Sequence, residues 1–144
     1  LRFALFLYSL LVGAVCFALP LEKPANVETV SYCDLVSRSD TFAGKMVRVR
    51  ALYQTDFEES ALTSPSRNFR FLRTWVTFEK FWQSRTNWRW RRAINPAKWR
   101  VQLDVVLVGQ FKVGKFGHMD MYPEELEVYK VESVRPLGSF RPLP

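Results

Sequence analysis

Residues 45–53 (KMVRVRALY) alternate apolar and polar positions. Val47, Val49, Ala51 and Tyr53 share one face of an extended strand, and Arg48 and Arg50 point the other way. The pattern is stronger over residues 101–113, where Val101, Leu103, Val105, Leu107 and Phe111 line one face and Gln102, Asp104, Gln110 and Lys112 the other. Gly109, late in that run, predicts a bulge or a sharp bend. Leu126 and Val128 alternate again, while Val131 and Val134 follow at shifted spacing, which predicts a second bulge. Residues 69–81 (FRFLRTWVTFEKF) are dense in aromatic and β-branched side chains and read as strand. The polar stretch 54–68 holds a turn at Ser64, Pro65 and Ser66 and a short strand at 58–63. A different period opens this region. Val27, Val30, Cys33 and Val36 recur every third residue with Tyr32 and Leu35 beside them, predicting an amphipathic helix of about three turns capped by Asn26. Cys33 falls on its apolar face, as a buried thiol would, and Ser39, Asp40 and Gly44 end the helix.

These elements amount to about five strands, a leading helix and an interruption at 82–98 between the third and fourth strands. Long, bent strands with one buried face predict a curled sheet or small barrel. The best fit is a mainly β fold, a five-stranded, partly open Greek-key barrel of the oligonucleotide/oligosaccharide-binding (OB) type. It would carry a leading helix and a helical, basic insertion between strands three and four. Ahead of it, Arg2 precedes 17 uncharged residues, 3–19, which is short of the roughly 20 that a membrane span prefers. Ala18, with Cys16 two positions earlier, matches a small-x-small cleavage rule. The expected organisation is therefore a signal peptide at 1–18 (an N-terminal anchor if uncleaved), a linker at 19–26, the OB-like domain at 27–136 and an extended tail at 137–144. Export to the periplasm or the exterior follows from that reading.

Two blocks carry a resemblance. Cys33-Asp34-Leu35-Val36, followed by Ala43-Gly44-Lys45-Met46-Val47-Arg48-Val49-Arg50, resembles the opening of uncharacterised exported bacterial proteins with a predicted OB-like domain. Val108-Gly109-Gln110-Phe111, with Gly117-His118-Met119-Asp120-Met121-Tyr122-Pro123 and Leu126-Glu127-Val128, is similar to their closing half. The resemblance implies the fold and export and assigns no catalytic residue. The chain departs from it between the second and third strands, where such proteins often carry cysteines and this sequence has none.

Composition narrows the chemistry. With 144 residues, 48% hydrophobic and 15% aromatic, the chain suits one globular domain. Two cysteines exclude a disulfide-dense scaffold, and one histidine excludes a histidine-rich metal site. The formal charge of +7 is unevenly placed. Residues 65–100 hold ten basic side chains against the single acid Glu79, a net +9, together with all five tryptophans. Arginines interleaved with flat rings suit a polyanion surface, because guanidinium pairs with phosphate or carboxylate while rings stack on bases or sugars. The densest part is Trp88-Arg89-Trp90-Arg91-Arg92, and a helix would align Arg85, Arg89 and Arg92 on one face. The candidate ligand-binding residues are thus Arg85, Trp88, Arg89, Trp90, Arg91 and Arg92. The competing reading packs these tryptophans on the barrel end with the arginines lying over them.

Catalytic constellations do not form. His118 and Asp120 could polarise a water, but no nucleophile accompanies them, and Gly117-His118-Met119-Asp120 reads as a turn whose imidazole bonds locally. Glu58-Glu59 and Glu124-Glu125 read as exposed loop acids, and Asp56, Glu58 and Asp104 are too scattered for a cation site. No metal or cofactor is expected. The expectation is an exported, non-catalytic module binding an anionic polymer or lipid surface, with nucleic acid ranked behind them. The alternative is a structural domain that meets an envelope protein, and a hydrolase ranks third.

Overall fold

The computed structural model describes residues 27–55, 59–65, 72–84, 88, 90, 91, 94 and 101–139. The expected signal segment, the linker and Asn26 lie outside them. The residues read as one helix divide in two. Glu28–Ser31 form strand β1, and helix α1 (Tyr32–Ser37) starts only at Tyr32. Val30 and Tyr32 are both buried, a spacing of two that the period of three concealed. Ser31, not Asn26, caps the helix: its hydroxyl accepts from the Asp34 N–H at 3.1 Å. A break at Arg38 separates α1 from the single turn α2 (Ser39–Phe42), and Gly44 then takes a left-handed φ of +76° to enter the first long strand.

Strand β2 (Met46–Thr55) buries Val47, Val49, Ala51 and Tyr53, as the alternation predicts. It pairs antiparallel with β3 (Ser60–Thr63), which pairs antiparallel with β4 (Arg73–Thr77). The strand expected to run to residue 81 stops at Thr77. Phe78, Phe81 and Trp82 sit at helical spacing, and helix α3 (Glu79–Gln83) turns Phe81 into the core. Strands β5 (Val101–Phe116) and β6 (Tyr122–Ser139) form a long antiparallel hairpin. β6 also pairs parallel with β4, and β5 pairs along the whole of β2, from Met46↔Gln110 to Thr55↔Val101. The circuit β2-β3-β4-β6-β5-β2 closes a five-stranded mixed barrel, while β1 adds in parallel beside the first half of β2. The chain is a small OB-like barrel.

Both predicted bulges are present. Gly109 faces Val128 while Val108 faces Lys130, so Tyr129 is the extra residue; Leu107 faces Val131 while Val106 faces Ser133, so Glu132 is the next. The bulge expected at Gly109 thus takes its added residue from the partner strand. β6 continues to Ser139, beyond the expected domain end at 136. One core fills the barrel, built from the inward faces of β2, β5 and β6 with Tyr32, Leu35 and Phe42 from α1 and α2 and Phe81 and Ile94 from the β4–β5 connection. On the outer face Arg50 and Arg135 both hold Asp104, at 2.7 and 2.6 Å, and Arg48 holds Glu132 at 2.8 Å. These pairs keep the Asp104 and Glu132 carboxyls below the usual range, so Arg48 and Arg50 stitch the sheet.

Candidate functional site

Of the six residues singled out, Trp88, Trp90 and Arg91 lie among the described residues; Arg85, Arg89 and Arg92, and the arginine stripe they would form, lie outside them. Trp90 is half-buried and, like Trp82, packs against the core; the Trp82 ring meets Phe81 edge-on at 4.9 Å. Arg91 turns toward the protein. One guanidinium nitrogen donates to the carbonyls of Trp82 and Ser84, at 2.9 and 3.1 Å, and the group lies over the Trp82 ring. Ile94 is 1% exposed. Trp82, Trp90, Arg91 and Ile94 therefore anchor the basic segment to the barrel. Trp88 is 75% exposed, an unusual position for a large ring. The segment thus combines anchoring rings with at least one displayed ring.

A cleft of about 300 Å³ forms a second feature, one that the sequence reading did not single out. Val36 of α1, Leu72, Met121 and Pro123 supply its apolar walls, and Glu59, Arg73, Tyr122 and Glu124 its polar groups. Its location suits the fold. OB barrels use the face of their second and third strands, with the adjoining loops, for ligands; here those strands are β3 and β4. The cleft takes Arg73 from β4, Glu59 from the β2–β3 connection and Met121 from the β5–β6 turn. Glu59 accepts from both Arg73 and Tyr122. Burial, together with the Glu59 carboxylate, pushes the Tyr122 phenol well above its ordinary value.

The turn that roofs this region depends on glycine. Gly117 has φ +71°, and a Cβ there would lie 2.6 Å from both Trp75 and Tyr122, whose rings pack 5.1 Å apart. Residues His118–Asp120 make the expected turn as a single 3-10 turn. His118 and Asp120 are exposed, and no hydrogen bond or ion pair of the imidazole occurs among the described residues, so the expected local bond is absent. No group of three metal-ligating side chains occurs among the described residues either.

Glu124 and Glu125 correct the reading of exposed loop acids: each is 8% exposed, and both lie in β6. Adjacent strand residues face opposite ways, so Glu125 turns outward to Thr77 and Lys112 while Glu124 turns inward. The missed signal was phase: positions 122 and 124 continue the alternation of Leu126 and Val128 backward. Burial raises the Glu124 carboxyl above its usual pKa, and a contact from Thr74 opposes the shift. A carboxyl raised in the folded state favours folding when protonated and loses that contribution as pH rises through its folded pKa. Glu124→Gln is accordingly expected to match the parent chain in thermal melts near pH 4. It should melt higher than the parent at pH 7 and above, and equal melting at pH 7 would show that the buried carboxylate carries no penalty.

Compared with known proteins, the chain matches no family model, no curated protein and no solved structure.

Proposed function

We propose that this chain is an exported, non-catalytic OB-like binding module that holds an anionic ligand through the basic segment 65–100. The observation that carries the reading is the exposure of Trp88 within a stretch of net charge +9. Trp82, Trp90 and Arg91 hold the flanking chain against the barrel, so Trp88 is displayed from an anchored base. Arg89 and Arg92 are its neighbours in sequence and supply the charge. Envelope polysaccharide, anionic lipid and extracellular DNA share the required chemistry, and export favours the first two. The uncharged run 3–19 behind Arg2 is what favours export.

The test is intrinsic fluorescence titrated with an acidic polysaccharide, anionic vesicles and single-stranded DNA at low and high salt. Trp88→Ala is expected to weaken binding about tenfold, the scale of a lost stacking contact. Arg89→Ala with Arg92→Ala should flatten the salt dependence by about one unit of slope for each lost phosphate-type contact. Arg91 is left in place because it braces the backbone. Binding unchanged in both variants would overturn the assignment.

One observation favours a second reading, a domain that meets another envelope protein. Met119 and Met121 stand 79% and 72% exposed at the tip of the β5–β6 hairpin, an adaptable apolar surface. On that reading no polyanion alters the fluorescence.

A further inference from the structure

The cleft between α1, β4 and the start of β6 contains a carboxylate with a single, long hydrogen bond. Glu124 lines it and is 92% buried by its 8% exposure. Among the described residues its one hydrogen bond is a long contact from the Thr74 hydroxyl, 3.5 Å to Oε2. That hydroxyl has a single proton and a nearer partner, the Tyr32 hydroxyl at 3.0 Å. Tyr32 in turn donates to the Leu62 carbonyl at 2.9 Å. Thr74 therefore has one proton for two acceptors, and among the described residues Oε1 of Glu124 accepts from no donor at all. That oxygen reaches the surface of the cleft, since the fully buried, unpartnered side-chain atoms among the described residues are Thr63 Oγ1 and Arg91 Nε.

The other charges around the cleft cancel. Arg73 of β4 is paired with Glu59, which also takes the Tyr122 hydroxyl of β6. Glu124 is then the one carboxylate among the cleft's described lining groups without a cationic partner. The walls beside it are apolar, from Val36, Leu72, Met121 and Pro123. We propose that this cleft binds a primary ammonium group carried on a short apolar chain, with the ammonium donating to Glu124 and the chain lying against Val36, Leu72 and Met121. A lysine side chain of a partner and a free alkylamine share this chemistry. The site is separate from the basic segment and does not rest on the reading of that segment.

The experiment uses the full 144-residue chain and follows the backbone amides of residues 121–124 and the Trp75 indole by ¹H–¹⁵N NMR. Hexylamine, hexanol, hexanoate and N-acetyl-lysine methylamide are the probes. Saturable shifts with hexylamine, none with hexanoate and at least about tenfold weaker binding of hexanol are expected, as for a charge-assisted bond. Glu124→Gln should weaken hexylamine by a similar factor while remaining folded. Affinity should rise with pH as Glu124 ionises, with Tyr32 of α1, Arg73 of β4, Glu59 and Tyr122 as the charged or titratable groups around it. Binding of the lysine derivative as tight as hexylamine would identify a side chain as the occupant, and binding of hexylamine alone a free amine. Hexanol equal to hexylamine, Glu124→Gln without effect, or no shift with any amine would each overturn the proposal. Trp88→Ala leaves these shifts unchanged, which separates failure here from failure of the polyanion reading.

Discussion

Gly109→Ala is expected to destabilise the barrel by about 3 kcal/mol, read as a lower urea midpoint at unchanged m-value. Gly109 is buried in β5 with strands on both sides, facing Val47 of β2 and Val128 of β6. A Cβ there would lie 2.4 Å from the Glu127 carbonyl oxygen, 3.0 Å from its carbon and 3.2 Å from a Leu126 methyl. The first two are backbone atoms and cannot rotate aside. The strand cannot slide either, since the ladder to β2 runs unbroken for ten residue pairs. Overpacking usually costs about 1–3 kcal/mol, and a clash with backbone in a strand held on both edges belongs at the upper end. Gly114 is the control: an added Cβ meets only the edge of the Phe116 ring at 3.1 Å, and Gly114→Ala should change stability by no more than about 0.5 kcal/mol. If Gly109→Ala melts with the parent chain, β5 and β6 separate more readily at the bulge than their register implies.

Gly109 also marks what the linear pattern makes legible. A glycine interrupting a clean alternation has few physical explanations, and the bulge was one of them. The inward faces of β2 and β5 were readable for the same reason, because a period of two sustained over nine or more residues competes with no other element. The failures share a different cause. At 27–36, Val27, Val30, Cys33 and Val36 satisfy a helical period while Val30 and Tyr32 satisfy a strand period, and pairing of β1 with β2, a tertiary contact, decides between them. At 69–81 the aromatic density masked the spacing of Phe78, Phe81 and Trp82, which folds as α3.

The basic segment was visible as composition only. With no period sustained along it, nothing in the order of residues says that Trp82 and Trp90 turn inward while Trp88 turns out, or that Arg91 faces backbone carbonyls. The cleft was less legible still. Glu59, Arg73, Tyr122 and Glu124 are spread over more than sixty positions and meet only because β4 and β6 run parallel, a long-range pairing that leaves no local trace.

Tyr32→Ala is expected to cost about 4 kcal/mol and Tyr32→Phe about 2 kcal/mol. Tyr32 is 2% exposed and is the first residue of α1, so its ring is the wedge that fastens the helix to the barrel end. Its hydroxyl lies 2.9 and 3.3 Å from the carbonyls of Leu62 and Leu72 and 3.0 Å from the Thr74 hydroxyl, tying the end of β3 to the start of β4. Alanine removes the ring and leaves a cavity. That loss is a large fraction of the about 5–15 kcal/mol that holds a typical domain folded, so the variant should sit near its unfolding threshold. Phenylalanine keeps the shape and removes only the hydroxyl with its bonds to the Leu62 carbonyl and the Thr74 hydroxyl, and it is the more informative change. Without the Tyr32 oxygen, Thr74 has one acceptor fewer, and its contact with Glu124, 3.5 Å in the parent chain, should tighten. A hydrogen bond to the ionised form favours it, so the Glu124 carboxyl should titrate lower in Tyr32→Phe than in the parent chain. A ¹³C titration of that carboxyl measures the shift directly. An unchanged titration would mean that Thr74 already gives its proton fully to Glu124 in the parent chain, so that Oε1 alone is open to the cleft.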